Sequence, residues 1–237
     1  MQLFYSENIQ ENRIVLEEDE FHHLKVLRKK EGDIISVTDG NGHLYSAEIK
    51  NIAKHSGEAV ITATQTFDKP VTFPHIVVAP TKNTDRMEWM VEKLVEIGVS
   101  EISFIQCEHS ERKIIKTDRL KKIALSAMKQ SLKYYLPVIN ELTGFKTFIT
   151  TKRTGNLFIG YCEAETTEFL PRQPFTAEST LVLIGPEGDF APQEVEMAKA
   201  AGFMPVSLGQ SRLRTETAAM VAATLINAKF EGRNDKG

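Results

Sequence analysis

Hydrophobic and polar residues follow two different patterns along the chain, and the change comes near residue 70. Before that point, short segments alternate apolar and polar residues, as strands with one buried face do. The segment DIISVTDGNGHLYSAEI, residues 33–49, carries the turn sequence Asp39-Gly40-Asn41-Gly42 at its middle and predicts a β-hairpin. Residues 13–16 and 58–66 predict further strands.

One helix is predicted within this first part. The segment EEDEFHHLKVLRKK, residues 17–30, begins with acids and ends with bases, which suits the helix dipole, and Gly32 is expected to end it. Residues 1–70 are therefore predicted to form a small β-barrel or rolled sheet with one helix.

After a proline-containing linker at residues 68–74, predicted strands and helices alternate. Apolar residues at 87, 90, 91, 94 and 97 form a helical stripe that Gly98 ends, and Trp89 with this stripe is expected to lie in the core. Repeated βα units predict an open, mostly parallel sheet in a second domain, residues 71–237. Its strands are predicted at residues 75–80, 101–106, 138–140, 156–162, 180–185 and 204–209, and its helices at 85–97, 118–133, 192–201 and 215–230.

The first candidate binding loop, GPEGDF, follows a predicted core strand at residues 185–190. In open α/β sheets, ligands bind beyond the carboxyl ends of strands, and glycines let a ligand approach bare backbone. The loop lacks the lysine and the glycine spacing of phosphate-binding loops, and Glu187 would repel a pyrophosphate. A neutral or cationic ligand with an adenine and hydroxyls fits better. By itself, the loop equally suits an ordinary turn into a helix that begins at Pro192.

A second loop lies one βα unit later, in LGQSRLRTETAAM, residues 208–220. Gly209 opens it, and Thr215 or Thr217 is expected to cap the following helix. Arg212 and Arg214 lie between them. We expect the two loops to bring Glu187 and Arg214 to one crevice.

Composition limits the class of protein. The chain has 237 residues, 41% of them hydrophobic, and a net charge of −3. It has no apolar run of the roughly 18 residues that a membrane span needs, and its first residues do not resemble a signal peptide. We expect a cytoplasmic protein. Cys107 and Cys162 match no metal spacing and are expected to be reduced thiols. His109 with Glu108 and Glu111 makes only a weak case for a metal site, so no metal is predicted.

Together, GPEGDF and LGQSRLRTETA resemble the C-terminal motifs of the SPOUT superfamily of RNA methyltransferases, and most closely those of the ribosomal RNA small subunit methyltransferase E family. FHHLKVLRKKEGD resembles the helix and strand of that family's PUA-like RNA-binding domain. KNTDRMEWMVEKLVEIGV, HSERK and the helix ending in KQSLK resemble segments of its catalytic domain. Four residues depart from the family pattern: Lys129, Lys133, Asp189 where a glycine is usual, and Ala191 where Ser or Thr would cap a helix.

The resemblance implies an α/β trefoil-knot domain after a PUA-like β-barrel domain, and a homodimer with S-adenosylmethionine bound against the knot. It implies methylation of uridine N3 in 16S rRNA, either free or in the small ribosomal subunit. One wall of the cofactor site would comprise Ile184, Gly185, Pro186, Glu187 and Gly188, and the other Leu208, Gly209, Leu213, Arg214, Thr215 and Ala218.

Uridine N3 is a nucleophile only after it loses its proton, and the charge then spreads onto the flanking oxygens. A guanidinium would stabilise that charge, so Arg214 is the main catalytic candidate, with Arg28 and Arg86 as further contacts. No residue stands out as the general base. Two alternatives stay open: methylation of a ribose 2′-oxygen or another base, and a non-catalytic RNA-binding protein. The candidate RNA contacts are His22, Lys25, Arg28, Lys82, Arg86, Arg112 and Lys129.

Overall fold

The computed structural model describes residues 2–70, 73–161, 168–175 and 179–234. The chain divides into two compact units. The first comprises the residues up to Lys69 together with Leu125–Leu136, and the second comprises Pro70–Ala124 and the residues from Pro137 onwards. The predicted domain boundary between residues 70 and 71 stays a prediction. The first unit also includes a segment from the second half of the chain, which a single boundary does not describe.

The first unit contains a six-stranded sheet in the order β1–β4–β5–β6–β3–β2. β1 pairs with β4 in parallel, and the other neighbours are antiparallel. The predicted hairpin is confirmed, because β4 and β5 flank a turn in which Gly40 and Gly42 have φ of 72° and 93°. The elements are β1 Leu3–Tyr5, β2 Ile9–Gln10, β3 Arg13–Glu17, α1 Glu18–Val26, β4 Ile34–Thr38, β5 His43–Ile52 and β6 Ser56–Thr66.

The end of α1 corrects the sequence prediction, because the helix stops at Val26 and not at Gly32. The N–H of Arg28 donates to the carbonyl of Lys25, and the N–H of Lys29 donates to the carbonyl of Leu24. This pair of bonds is the Schellman ending, in which the residue at the place of Arg28 is usually glycine. Arg28 takes the left-handed conformation itself, with φ of 55°.

Residues 125–136 join the first unit through specific contacts. The ammonium group of Lys129 forms an ion pair with the carboxylate of Glu20, and both side chains are largely buried. The hydroxyl of Tyr135 donates to the carbonyl of Phe67 at 2.9 Å. The core of the unit is apolar and comprises Phe4, Ile14, Leu16, Leu24, Ile35, Val37, Ala47, Ile49 and Ala59.

The second unit contains a seven-stranded sheet in the order β11–β13–β10–β12–β7–β8–β9, and all its pairs are parallel, as predicted. The strands are β7 Phe73–Val78, β8 Glu101–Gln106, β9 Val138–Gly144, β10 Asn156–Gly160, β11 Glu168–Phe169, β12 Ser179–Ile184 and β13 Met204–Ser207. The helices are α2 Thr84–Ile97, α4 Phe145–Thr150, α5 Pro192–Ala200 and α6 Thr215–Asn234, with a 3₁₀ turn at Leu170–Arg172. Helix α3, Thr117–Gln130, begins in this unit, and its residues from Leu125 belong to the first unit. The short elements α4 and β11 were not predicted.

Helix α2 shows how its sequence determines its ends and its buried face. The side chain of Asn83 caps the first turn, and Gly98 ends the helix in the left-handed conformation with φ of 102°. Met87 and Met90 are buried as predicted, but Trp89 is 45% exposed, so its placement in the core was wrong. Helical geometry turns residue 89 about 100° away from residue 90, outside the buried stripe.

Three neighbouring strands position the site. β10 lies between β12 and β13 although both follow it in the chain, so the loops after these strands meet at one edge of the sheet. A parallel sheet places ligands at such an edge. The trefoil knot stays a prediction. Among the described residues, no helix is both long enough and apolar enough to span a membrane.

Candidate active site

A cavity opens at the carboxyl ends of β10, β12 and β13. All predicted cofactor-binding residues line it except Gly188 and Arg214. The two predicted loops therefore do face each other across one space. The lining residues are Gly160, Tyr161, Ile184, Gly185, Pro186, Glu187, Asp189, Val206, Ser207, Leu208, Gly209, Gln210, Ser211, Arg212, Leu213, Thr215 and Ala218.

One buried hydrogen bond connects the two walls. The hydroxyl of Thr215 donates to the carbonyl of Gly185 at 3.0 Å. The prediction that Thr215 or Thr217 caps α6 was wrong, because α6 already begins at Thr215 and the carbonyl of Arg214 accepts the first helical bond, from Ala218. Thr215 serves to join the end of β12 to the start of α6.

The GPEGDF loop turns tightly at its second half. The N–H of Asp189 donates to the carbonyl of Pro186 at 3.0 Å, and Asp189 has φ of 63°. This conformation explains why glycine is usual here, and aspartate is one of the few other residues that adopt it readily. Ala191, the other departure in this loop, provides no side-chain cap for α5. The carboxylate of Glu194 instead accepts the N–H of Ala191 at 3.0 Å.

The segment after β8 packs against this loop. Nδ1 of His109 lies 3.2 Å from the carbonyl oxygen of Gly188 and 3.1 Å from that of Asp189. A Cβ atom on Gly188 would lie 3.1 Å from Cβ of His109. A side chain at Gly188 would therefore press on His109, and Gly188 is not among the residues that line the cavity. Glu194 adds a second link by accepting the N–H of Glu108 at 2.9 Å.

Charged residues at the cavity pair differently from what the sequence suggested. Glu187 and Glu216 are the glutamates that the two motifs offer to Arg214, but it is Arg86 that pairs with both, each at 3.8 Å. Arg214 is exposed, and within the described part of the chain its guanidinium makes no ion pair. Its charge thus remains available at the start of α6.

Sequence reasoning missed one wall of the cavity. Gly160 ends β10 and Tyr161 follows it, and Val206 and Ser207 end β13. Gly160, near the end of the predicted strand 156–162, is the sequence signal that could have indicated this wall. Whether that glycine reaches the cavity depends on the order of the strands in the sheet. Asp189, Gln210, Ser211 and Arg212 were missed as lining residues although they lie within the two motifs.

Three predicted RNA contacts in the first unit, His22, Lys25 and Arg28, are exposed on or just after α1. Nζ of Lys25 donates to the carbonyl of Lys54 at 3.3 Å. Lys129 differs from them, because its charge compensates the buried Glu20 within the unit.

The predicted contacts in the second unit have partners of their own. Lys82 pairs with Glu111 at 2.9 Å. The guanidinium of Arg112 donates to the carbonyls of Thr81 and Lys82 and to the hydroxyl of Thr84, which anchors the chain just before α2. Their role as RNA contacts stays a prediction.

The thiol and the histidine considered for a metal site have other surroundings. Cys107 is buried, which raises the pKa of its thiol, and Cys162 lies outside the described residues. The ring of His109 faces the backbone of the GPEGDF loop. Within the described ranges, no group of three or more His, Cys, Asp or Glu residues is arranged to hold a metal ion.

Comparison with known proteins defines the class to which this fold and cavity belong. A family model described as the RNA methyltransferase domain matches residues 68–227, and one described as the RNA methyltransferase PUA domain matches residues 16–62. The molecule is thus an α/β RNA methyltransferase domain joined to a PUA-like domain, and the predicted fold class is confirmed. The chain belongs to the RNA methyltransferase family whose curated relatives are the ribosomal RNA small subunit methyltransferases E.

Three relatives illustrate the similarity. A structure of a probable rRNA-methyltransferase from Porphyromonas gingivalis is 43% identical, covers 98% of this chain and 100% of its own, and has a TM-score of 0.89. A ribosomal RNA small subunit methyltransferase E from Neisseria gonorrhoeae, solved bound to S-adenosyl methionine, is 28% identical over 96% of this chain and 97% of its own, with a TM-score of 0.83. The methyltransferase E of Mesomycoplasma hyopneumoniae (strain 232) is 27% identical over 94% of this chain and 98% of its own.

Proposed function

We propose that this protein uses S-adenosylmethionine to methylate N3 of a specific uridine in the 16S rRNA of the small ribosomal subunit. The observation that carries the proposal is the cavity formed by GPEGDF and the loop before α6, with Thr215 joined to Gly185 between them. The Neisseria gonorrhoeae relative, which shares the fold along nearly the whole chain, was solved with S-adenosyl methionine bound.

The residues of the cavity fit this cofactor. Ile184, Leu208 and Leu213 offer apolar side chains for the adenine, and Gly185 and Gly209 line the cavity without side chains. A Cβ atom added at Gly185 would lie 3.1 Å from the buried ring of Phe190, so a larger residue there would press on that ring. The carboxylate of Glu187 suits a ligand with positive charge. The cofactor supplies a methyl group activated on a sulfonium, and the chain must hold and orient the reactants.

The start of α6 is suited to stabilise negative charge on the target base. Arg214 is exposed beside the cavity, and the 20-residue helix that follows directs the positive end of its dipole to the same place. Loss of the N3 proton leaves charge on the two flanking oxygens of the uracil ring. We assign its stabilisation to Arg214, and solvent can accept the proton since no residue is identified as the base. Arg86, held by Glu187 and Glu216, is assigned a smaller role at this edge.

The PUA-like domain is proposed to hold the RNA. N3 lies on the Watson–Crick edge, so the target base must be unpaired or extruded before methylation. His22, Lys25 and Arg28 form an exposed basic surface along α1 that suits phosphate contacts. Lys82, Arg86, Arg112 and Lys129 are further candidate RNA contacts, and we propose a cytoplasmic homodimer that acts on 16S rRNA or on the assembled subunit.

Methylation of a ribose 2′-oxygen or another base is the second candidate, because the cavity does not by itself select the acceptor atom. A non-catalytic RNA-binding protein is a poorer fit, since such a protein would not need the bare loop backbone and lining that the cavity retains.

The decisive experiment is mass spectrometry of nucleosides from ribosomal RNA of cells with and without the protein. We expect N3-methyluridine to disappear from 16S rRNA when the gene is deleted, and to return with the wild-type chain but not with Arg214→Ala. Loss of a 2′-O-methyl nucleoside or of another methylated base would replace the uridine assignment, and an unchanged nucleoside profile would contradict a methyltransferase role in rRNA.

A further inference from the structure

Glu216 is a buried carboxylate at the edge of the cavity that is only partly compensated. Its side chain is 7% exposed, on the first turn of α6. Oε1 lies 3.8 Å from Nε of Arg86, and Oε2 is buried and finds no hydrogen-bond partner among the described residues. Burying an ionised carboxylate is costly unless a counter-charge lies beside it, so Glu216 depends on Arg86.

Arg86 is shared with a second carboxylate. Nη1 of Arg86 lies 3.8 Å from Oε1 of Glu187, whose side chain is 48% exposed. Water can solvate Glu187 but not Glu216. The guanidinium therefore stabilises Glu216 more than Glu187, and exposed ion pairs such as the one with Glu187 contribute little.

Glu187 faces the cavity and Arg86 does not line it. The other charged lining residues are Asp189 and Arg212. Because the buried Glu216 competes with Glu187 for the charge of Arg86, Glu187 keeps most of its own negative charge uncompensated on the side of the ligand. A positively charged ligand gains from that charge, whereas a neutral ligand of the same shape does not.

This difference in charge distinguishes the methyl donor, S-adenosylmethionine, from the product that remains after methyl transfer. The methyl donor carries a sulfonium cation. When the sulfur–methyl bond breaks, its electron pair returns to sulfur, and the product S-adenosylhomocysteine is a neutral thioether at that position. We propose that Glu216 is a positioning residue which, by holding Arg86, leaves Glu187 charged and makes the cavity prefer the methyl donor over the spent product. The inference rests on the proposed function and adds the basis for discrimination between substrate and product.

The test is calorimetric measurement of two dissociation constants, for S-adenosylmethionine and for S-adenosylhomocysteine, on the full-length protein. In Glu216→Gln the side chain keeps its shape and loses its charge, so Arg86 is free to neutralise Glu187. We expect the Kd for S-adenosylmethionine to rise about fivefold, the effect of one partly screened charge a few ångströms away, with the Kd for the product unchanged. Glu187→Gln should shift the ratio of the two constants in the same direction. The shift in the double variant, Glu187→Gln with Glu216→Gln, should be no larger than the shift in Glu187→Gln alone.

Two further variants make the result specific. Glu92→Gln removes an exposed carboxylate on α2 that pairs with Lys93, and it should leave both constants unchanged. Arg86→Gln removes the counter-charge of Glu187 and should shift the ratio the opposite way, in favour of S-adenosylmethionine. Glu187→Gln changes an exposed side chain and still tests the proposal if a variant at Glu216 or Arg86 does not fold, because an unchanged ratio there would show that Glu187 does not discriminate between the two ligands.

The outcomes separate the inference from the proposed function. If the wild-type chain binds S-adenosylmethionine and Glu216→Gln weakens both ligands equally, Glu216 has only a structural role and the inference is overturned. An unchanged ratio in Arg86→Gln overturns it as well. If the wild-type chain binds neither ligand, the proposed function itself fails, and the inference fails with it.

Discussion

Nδ1 of His109 lies 3.1 Å from the backbone carbonyl oxygen of Asp189. A carbonyl can only accept, so the Nδ1 atom must carry the hydrogen in this arrangement. The same nitrogen lies 3.2 Å from the carbonyl oxygen of Gly188, and the left-handed conformation of Asp189 accompanies this convergence of two successive carbonyls. His109 therefore orients the loop that forms one wall of the cavity.

An asparagine and an aspartate at position 109 should separate this role from simple packing. The amide of His109→Asn can present an N–H near the place of Nδ1, whereas the carboxylate of His109→Asp would face two carbonyls without a donor. We expect the asparagine variant to bind S-adenosylmethionine nearly as well as wild type, and the aspartate variant about threefold to tenfold more weakly, the net effect of losing one hydrogen bond. Calorimetry compares them, and equal losses in both variants would show that the hydrogen bond does not matter.

Arg214 should affect the rate of methylation more than the binding of the cofactor. Arg214→Lys keeps the charge but loses the planar fork, and Arg214→Ala loses both, so we expect a marked rate loss in the first and about a 10²–10³-fold loss in the second. Single-turnover methylation of small ribosomal subunits at saturating cofactor measures the rate, and calorimetry measures affinity. A near wild-type rate for Arg214→Ala would transfer the role to Arg28 or Arg86, and a parallel fall in rate and affinity would make Arg214 a cofactor or folding residue.

Arg28 occupies a backbone position that favours glycine, and we predict that its side chain contacts RNA at a cost in stability. With φ of 55°, Arg28→Gly should raise the free energy of unfolding by about 0.5–1 kcal/mol and weaken RNA binding. Urea denaturation and a filter-binding titration on small-subunit RNA measure the two effects.

Leu132 provides the matched control, since it ends α3 in the same conformation with φ of 53° and carries no charge. Leu132→Gly should leave RNA binding unchanged. If both variants weaken binding equally, or if Arg28→Gly destabilises the protein, the assignment of Arg28 to RNA at a folding cost is wrong.

His75 makes stability depend on pH. Burial, with a smaller effect of the charge of Arg153, lowers the pKa of His75 from 6.5 to about 3, and its Nε2 lies 2.7 Å from the hydroxyl of Ser103. The unfolded chain binds a proton below pH 6.5 that the folded chain does not accept until about pH 3. Stability from this group is therefore complete above about pH 6.5 and falls by about 1.4 kcal/mol for each pH unit below it.

His75→Gln should remove this dependence, because a glutamine amide can bond to Ser103 and does not titrate. Between about pH 7 and pH 5 the wild type should lose about 2 kcal/mol more than the variant in urea denaturation, which is about one and a half pH units at about 1.4 kcal/mol each. Parallel pH curves for the two proteins would show that His75 stays accessible to protons in the folded state.

If the active site needs two protomers, the protein should be a stable dimer at micromolar concentration. Light scattering coupled to size exclusion gives the mass directly, and a methylation assay on the same fractions connects mass with activity. A fully active monomer would rule out the proposed homodimer.

The sequence predicted most elements because each depends on local signals. The hairpin needed only Asp39-Gly40-Asn41-Gly42, and α2 needed its apolar stripe and Gly98. The cavity wall from β10 depends instead on a strand order that no local pattern encodes, so Gly160 and Tyr161 were missed. The pairing of Arg86 with Glu187 and Glu216 was missed for the same reason, since these residues are about 100 positions or more apart in the chain.

The membership of residues 125–136 in the first unit has a consequence for how this protein can be recombined with its relatives. A chimaera joined at residue 70 would combine the Glu20 of one parent with residue 129 of the other, and Phe67 with the other parent's residue 135. If the second parent has no lysine at position 129, Glu20 would lose its counter-charge, and a residue other than tyrosine at position 135 would remove the hydrogen bond to Phe67. An exchange that preserves these pairs needs three crossovers, near residues 70, 125 and 136. The two segments of the first unit are encoded in separate parts of the gene and have to be exchanged together.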